Sequence, residues 1–255
     1  LSVIFFLCTV TACSSVSFFD EGIDYAKLTP EIVSTMIKNG AKVNQADENK
    51  TTPLMLISQS NASVEVLRLM IKAGAKINVK DKEGLTPIFY SALYNQSIEI
   101  TKYFIEQGVK VNQKNSDKTT LLMAAAFSNP NENVVKLLID LGADVNAYNN
   151  DNNTAFLYAS RNKNAEIIKL IYKSMDNPEK AMEQKTTTGF SAILIAARYN
   201  TNPDVIKWLL NNGANIHDKT NTGATPIMLA CHNSNIQIMQ SLIEAGANVN
   251  DRDNT

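Results

Sequence analysis

Few side chains in this sequence could do chemistry of their own. The thiols and imidazoles are three cysteines, Cys8, Cys13 and Cys231, and two histidines, His217 and His232. Neither histidine has a carboxylate or cysteine at metal-ligand spacing, so a zinc site is not expected. The sequence holds no glycine-rich phosphate loop, no serine nucleophile elbow and no HExxH, and no Cys/His pair stands at helical or turn spacing. Catalysis, a cofactor and a small-molecule substrate are therefore not expected. Cys231, in Leu229-Ala230-Cys231 among small residues, is expected to be a buried, inert thiol. With two of the three cysteines near the start of the chain, no disulfide framework holds the fold. The formal net charge of −1 leaves no excess of Lys and Arg to neutralise phosphates, which argues against nucleic acid as a partner. At 44% hydrophobic and 19% charged residues, the 255-residue chain has the apolar surface of a folded protein and too little charge for a disordered one.

Cys13 is the thiol with the most specific surroundings. Leu1 to Val10 is an apolar run broken only by Ser2 and Thr9, too short for a bilayer span of about 20 residues and suited to the hydrophobic region of a signal peptide. It runs into Val10-Thr11-Ala12-Cys13, which resembles the lipobox of bacterial lipoproteins. That resemblance implies lipid attachment at Cys13, residues 1–13 as signal peptide and 14–21 as a tether. Each buried methylene of the acyl chains would contribute about 0.8 kcal/mol, so multiple chains would hold the protein at the membrane without a transmembrane helix. The expected location is then a bacterial membrane, on its periplasmic or cell-surface side. Cleavage by an ordinary signal peptidase and a buried N-terminal helix are the alternatives. The chain begins with Leu and has no basic region before the apolar run, so the start of the reading frame is expected to lie upstream.

The rest of the sequence must be organised by its repetition. Gly40-Ala-Lys-Val-Asn44 recurs as Gly74-Ala-Lys-Ile-Asn78, Gly108-Val-Lys-Val-Asn112, Gly142-Ala-Asp-Val-Asn146, Gly213-Ala-Asn-Ile-His217 and Gly246-Ala-Asn-Val-Asn250, with glycine spacings of 34, 34, 34, 71 and 33. The gap of 71 spans two periods, with a glycine lost around Met175 to Lys180. A second marker keeps the same period: Thr52-Pro-Leu54, Thr86-Pro-Ile88, Thr120-Leu-Leu122, Thr154-Ala-Phe156, Ser191-Ala-Ile193 and Thr225-Pro-Ile227. A Thr or Ser followed by Pro or a small residue is a helix N-cap and first position. A short first helix follows, with small residues such as Ala124, Ala125, Ala196 and Ala197 that permit close packing. A second helix has apolar residues at i, i+3 and i+4, as in Val135, Leu138 and Ile139. The recurring glycine ends it in a left-handed conformation, and a polar stretch such as Asp81-Lys-Glu-Gly84 makes the tip of a hairpin.

These phrases resemble the ankyrin repeat, above all Asp81-Lys-Glu-Gly-Leu-Thr-Pro-Ile88 and Gly142-Ala-Asp-Val-Asn146. The resemblance implies an all-α solenoid of stacked helix-turn-helix units with projecting β-hairpin loops, over residues 22–255, as a partial first repeat and six more. Thr120-Leu121, Thr154-Ala155 and Ser191-Ala192 lack the family's proline. Ile171 to Thr188 replaces the glycine turn with Asp176-Asn-Pro-Glu179 and extra length, which leaves the hairpin of that repeat undetermined. Ile227, Leu229, Ile238 and Leu242 follow the interior pattern, and Asp251 to Thr255 begins another hairpin, so the natural protein is expected to continue.

In such a stack, recognition falls to positions that vary between units, the hairpin tips and the exposed side of the first helices. Counted from the Thr marker, these are Glu48 and Asn49, then Leu85, Leu93 and Tyr94, then Phe127, Tyr148, Arg161, Phe190, Arg198 and Tyr199. Aromatic residues and arginines are frequent anchors of protein interfaces, and the residues from Leu85 onward are the candidate surface for a protein ligand. Any one of the apolar members could instead pack against its neighbouring hairpin. The function expected is a membrane-tethered, non-catalytic protein-binding module. An immunity-like inhibitor of a secreted or periplasmic enzyme, a secreted host-directed effector, and the recognition part of a larger enzyme remain alternatives.

Overall fold

Every first helix opens on the residue type that the sequence marks for it. Thr52, Thr86, Thr120, Thr154, Ser191 and Thr225 are buried N-caps in extended backbone conformation, each followed at once by helix. Three repeats place Pro at the first helical position; the other three form their helices without it. Thr120 and Thr154 there accept hydrogen bonds from Met123 N and Leu157 N, each at 3.3 Å, and so satisfy free helix-end donors.

A computed structural model describes residues 16–60 and 62–254; Cys8 and Cys13, and with them the signal-peptide and lipid-attachment expectations, lie outside the described residues. The chain divides into two compact units, Leu1–Lys110 and Val111–Thr255. In the first unit α1 (Pro30–Lys38) is followed by the helix pairs α2 (Pro53–Gln59) with α3 (Val64–Lys72) and α4 (Pro87–Tyr94) with α5 (Ile98–Glu106). In the second unit the pairs are α6 (Leu121–Ser128) with α7 (Glu132–Asp140), α8 (Ala155–Ala159) with α9 (Ala165–Lys173), α10 (Ala192–Tyr199) with α11 (Pro203–Asn211), and α12 (Pro226–Ala230) with α13 (Ile236–Glu244). Within each unit first helices pack on first helices and second on second. The layer between them is apolar: Leu54, Ile57, Leu67, Met70, Ile88, Phe89, Ile100 and Phe104 are fully or almost fully buried in the first unit, as are Leu122, Val135, Leu138, Phe156, Ile168, Ile193, Ile206 and Leu209 in the second. This is an all-α ankyrin-type architecture, with no β-strand among the described residues beyond two isolated bridges, Lys114 with Thr120 and Tyr148 with Thr154.

The hairpin tips share one construction. The backbone N–H of Asp81 donates to Leu85 O at 3.0 Å, that of Asn149 to Asn153 O at 3.0 Å, and that of Thr186 to Phe190 O at 3.0 Å. Each tip turns through one residue with positive φ, a glycine at Gly84, Gly189 and Gly223 and a Lys or Asn at Lys50, Lys118 and Asn152. Tips stack by backbone bonds, Lys82 N to Asn49 O in the first unit and Asn150 N to Asp117 O and Thr187 N to Asp151 O in the second. The undetermined hairpin is thus regular. The extra length before it forms a 3-10 segment, Pro178–Glu183, which buries Ala181, and Met175 just ahead of it is also buried.

A feature absent from the sequence expectations fastens repeat to repeat. Asn162 Nδ2 donates to Ala126 O (3.0 Å) and Asn129 O (2.9 Å), Asn200 Nδ2 to Ser160 O (2.9 Å) and Asn162 O (2.8 Å), and Asn233 Nδ2 to Ala197 O (2.9 Å) and Asn200 O (2.8 Å). In the first unit Asn95 Nδ2 does the same to Ser58 O and Ser60 O. Each Oδ1 accepts the N–H two residues on, and where that residue is Asn131, Asn164, Asn202 or Asn235 its own side chain caps the second helix. The bend between the helices is thereby a hydrogen-bonded joint, with its buried polar groups satisfied.

Two expectations are corrected. Cys231 is exposed, not buried: it is the C-cap of the short helix α12, with its Sγ 3.6 Å from Ile227 O. The stretch 14–21, expected to be a tether, is folded from Val16 onward, because Val16 and Phe18 are buried and Ser17 N donates to Asp20 Oδ2 at 2.9 Å. At the far end Ile236, Ile243 and Val249 are exposed, and Asn254 N donates to Thr222 O at 3.0 Å.

Candidate protein-binding surface

The joint asparagines fix where the variable side chains emerge. The joint asparagine lies nine positions after the N-cap in Thr86 to Asn95, Thr120 to Asn129 and Ser191 to Asn200, but eight in Thr154 to Asn162 and Thr225 to Asn233. Helices α8 and α12 are accordingly reduced to five residues. Counted from the Thr marker, Arg161 corresponds to Phe127 and Arg198; counted from the joint, it corresponds to Tyr94 and Tyr199. The shortening sets Arg161 between neighbours on either side. Its guanidinium carbon lies 4.8 Å from the Phe127 ring centre and 4.4 Å from that of Tyr199.

Around this arginine the second unit assembles most of the expected residues. Phe127 meets the Tyr158 ring edge-on, with centroids 5.5 Å apart, and the Arg198 guanidinium lies 5.3 Å from the Tyr199 ring. Arg161 and Tyr199 are shared by two grooves. One, of about 400 Å³, opens towards the hairpin tips and is lined by Asp151, Tyr158, Thr187, Phe190 and Ile195 beside the shared pair. The other, of about 630 Å³, opens over the joint and is lined by Phe127, Pro130, Lys163 and Asn164 with the same pair. Tyr199 is 45% exposed, while Phe127 and Phe190 are half-buried, so both have an open edge and a packed one. Tyr148 is 62% exposed and lines neither groove.

The first unit gathers Leu85 and Tyr94 in a smaller groove of about 210 Å³ with Asn49, Asp81, Glu83 and Tyr90. Leu93 is half-buried and does not line it. Tyr90 donates to Asp81 Oδ2 at 2.8 Å, and burial together with that carboxylate pushes its phenol well above the ordinary value. In the second unit Tyr158 stands at the corresponding place, four residues after its N-cap Thr, facing Asn149, which corresponds to Asp81. There the polarity is reversed: Asn149 Nδ2 donates to the Tyr158 oxygen at 3.2 Å. Burial raises the phenol of Tyr158, and hydrogen bonds from Thr119 and Asn149 pull it back. Tyr90, Tyr158 and Lys163 were not among the residues expected from the sequence. The offset of four from the Thr marker was the signal for the two tyrosines.

Among the described residues no group of His, Cys, Asp and Glu could hold a metal ion, and no helix is long and apolar enough to cross a membrane. What the surface can do is present planar and aromatic contacts on a hydrogen-bonded repeat scaffold. These features define a helical repeat protein whose side chains vary from unit to unit along the hairpin tips and first helices. The family model described as "Ankyrin repeats (3 copies)" matches residues 24–115, 89–181 and 175–253, and the chain belongs to the ankyrin-repeat family. No curated protein matches the chain at a significant level. Among solved structures, the chain is similar to a chain in that of the Bd0816 predatory endopeptidase from Bdellovibrio bacteriovorus in complex with immunity protein Bd3460. The TM-score is 0.58 at 24% sequence identity, covering 78% of this chain and 99% of that one. The likeness is one of fold.

Proposed function

We propose that this protein is a non-catalytic binding module that holds a protein ligand on its hairpin tips and first helices. The face in the second unit, Phe127, Arg161, Phe190, Arg198 and Tyr199, is the principal contact, with Leu85, Leu93, Tyr94 and Tyr148 contributing elsewhere. The observation that carries this reading is the stacking of Arg161 against Phe127 and Tyr199 at 4.8 and 4.4 Å on an exposed surface. Stacking holds a long, flexible side chain in place in advance, so less entropy remains to be lost on binding. Tyr and Arg held in this way are the residue types in which binding energy concentrates.

The finer form of the proposal is an immunity-like inhibitor anchored by a lipid on Cys13, on the periplasmic or cell-surface side of a bacterial membrane. Two things support it. The sequence Val10-Thr11-Ala12-Cys13 resembles a lipobox, and a chain of this fold occurs in the complex of the Bd0816 endopeptidase with immunity protein Bd3460. The ligand would then be an enzyme exported across the same membrane.

The test is crosslinking and pull-down from native membranes, comparing the full chain with a Tyr94→Ala, Phe127→Ala, Tyr199→Ala variant matched for folding by circular dichroism. Selective loss of one partner is expected; identical partners for both proteins would move the ligand off this surface. Labelling with a lipid precursor separates the anchoring proposal from the binding one. Cys13→Ala should abolish label and membrane retention, and an unlabelled native protein would refute the anchor.

A further inference from the structure

We propose that the pair Arg161 and Arg198 receives a carboxylate of the protein partner, an Asp or Glu flanked by apolar side chains. This rests on the binding surface proposed above and narrows its chemistry. A guanidinium stacked on a ring uses its face, while its N–H donors point outward in the plane, in the fork geometry that matches a carboxylate. Arg161 stacks against Phe127 and Tyr199, and Arg198 lies over the same Tyr199 ring, so two guanidinium groups share one aromatic platform.

Neither is neutralised within the protein. Among the described residues the side chains of Arg161, Arg198 and Lys163 form no ion pair; the pairs that do form are Lys27 with Asp24, Lys136 with Asp140, Lys169 with Glu166 and Lys185 with Asp218. Asp151 lines the tip-side groove with Arg161 and is not paired with it. The chain as a whole carries a formal charge of −1, so this local positive charge stands out from its surroundings and favours an acidic approach. The apolar flanks of the ligand have places on both sides of the platform. Leu157, Phe190 and Ile195 line the groove towards the tips, and Phe127 and Pro130 line the one over the joint. A partner with this pattern satisfies the open donors and covers the rings, which water alone does poorly.

The test uses a random peptide library displayed on phage and selected against the full chain. Enriched peptides should share an acidic residue beside apolar ones. Synthetic copies of them should lose about tenfold in affinity when the acid is changed to its amide, as expected for a charge-assisted hydrogen bond. The Arg161→Gln, Arg198→Gln variant should bind acid and amide forms equally. Arg161→Lys, with the charge but without the planar fork, should recover only part of the preference. Selection of no peptide, of peptides without an acid, or of phosphoserine in preference to Glu in the synthetic series would overturn the proposal. Acid-independent binding that is lost in Phe127→Ala, Tyr199→Ala would overturn the carboxylate while leaving the binding surface standing. Binding that survives both pairs of substitutions would remove the surface as well.

Discussion

The groove of the first unit and the platform of the second are built on the same repeat and do different chemistry. In each, a tyrosine four residues past the N-cap faces the first residue of a hairpin tip. Tyr90 donates a hydrogen bond to the carboxylate of Asp81, whereas Tyr158 accepts one from the amide of Asn149. Just before the joint asparagine, Tyr94 is 52% exposed beside acidic Asp81 and Glu83 in the first unit, while in the second Arg161 is stacked between two rings. The difference shows how the labour is divided. Thr, Gly and Asn at fixed places make the scaffold, and the side chains beside them, Asp81 and Tyr94 in one unit and Asn149 and Arg161 in the other, set the character of each surface.

If the scaffold is common, its substitutions should cost alike in both units. Asn95→Ala and Asn200→Ala each strip a buried joint of its hydrogen bonds and should each destabilise by about 3 kcal/mol. Urea unfolding checks this, with the fluorescence of Trp208, the chain's one tryptophan, reporting the second unit through its contact with Tyr172 at a 5.2 Å ring separation. Hydrogen exchange reports the first. A cost confined to one unit would break the idea of a common joint. Glycines should separate by what lies near them. Gly142 has φ +85° and open space where a Cβ would go, so Gly142→Ala should cost about 1 kcal/mol for the left-handed backbone alone. At Gly189 a Cβ would meet the Asn221 side chain and lie 2.6 Å from its backbone N, so Gly189→Ala should cost about twice as much or more.

The two tyrosines should part company at high pH. A phenol raised in the folded protein stabilises it fully below the unfolded value of about 10, and that contribution is lost as the pH climbs from there towards the folded value. Because Asp81 adds to the burial effect at Tyr90 and Asn149 opposes it at Tyr158, Tyr90→Phe should flatten the loss of stability above pH 10 more than Tyr158→Phe does. Equal slopes in the two variants would show that the reversed hydrogen bonds have no energetic consequence. The smallest change in stability belongs to Arg161→Ala, which removes two exposed cation–π contacts and should cost about 1 kcal/mol or less. A larger loss would mean that Arg161 serves the fold and not a ligand.

Much of the scaffold was legible because its parts obey local rules that recur. Glycine after a second helix and threonine before a first one have the same meaning in every repeat, so their period of 34 gave the helices and their order. The joint asparagines recur too, at Asn95, Asn129, Asn162, Asn200 and Asn233. Beside a bend, however, asparagine reads as an ordinary loop residue, and nothing local says that its amide reaches a neighbouring repeat. Missing the joint also hid the shortened α8, and with it the reason why Arg161 meets Tyr199. Cys231 departs from expectation for the same cause: α12 is short, and its end turns the thiol out of the core. The segment after α9 defied the pattern because an insertion follows no period, although its buried Ala181 shows that it is packed.

The most direct test of the central claim is to crosslink the full chain, alone and as Phe127→Ala, Tyr199→Ala, in native membranes and to quantify the captured partner. The expected result is at least a tenfold loss of that partner in a variant whose melting temperature and circular dichroism are unchanged, since anchor residues of this type carry about 2 kcal/mol or more. An undiminished yield of the same partner would contradict the assignment of the second unit's arginine–aromatic platform as the place where this protein holds its ligand.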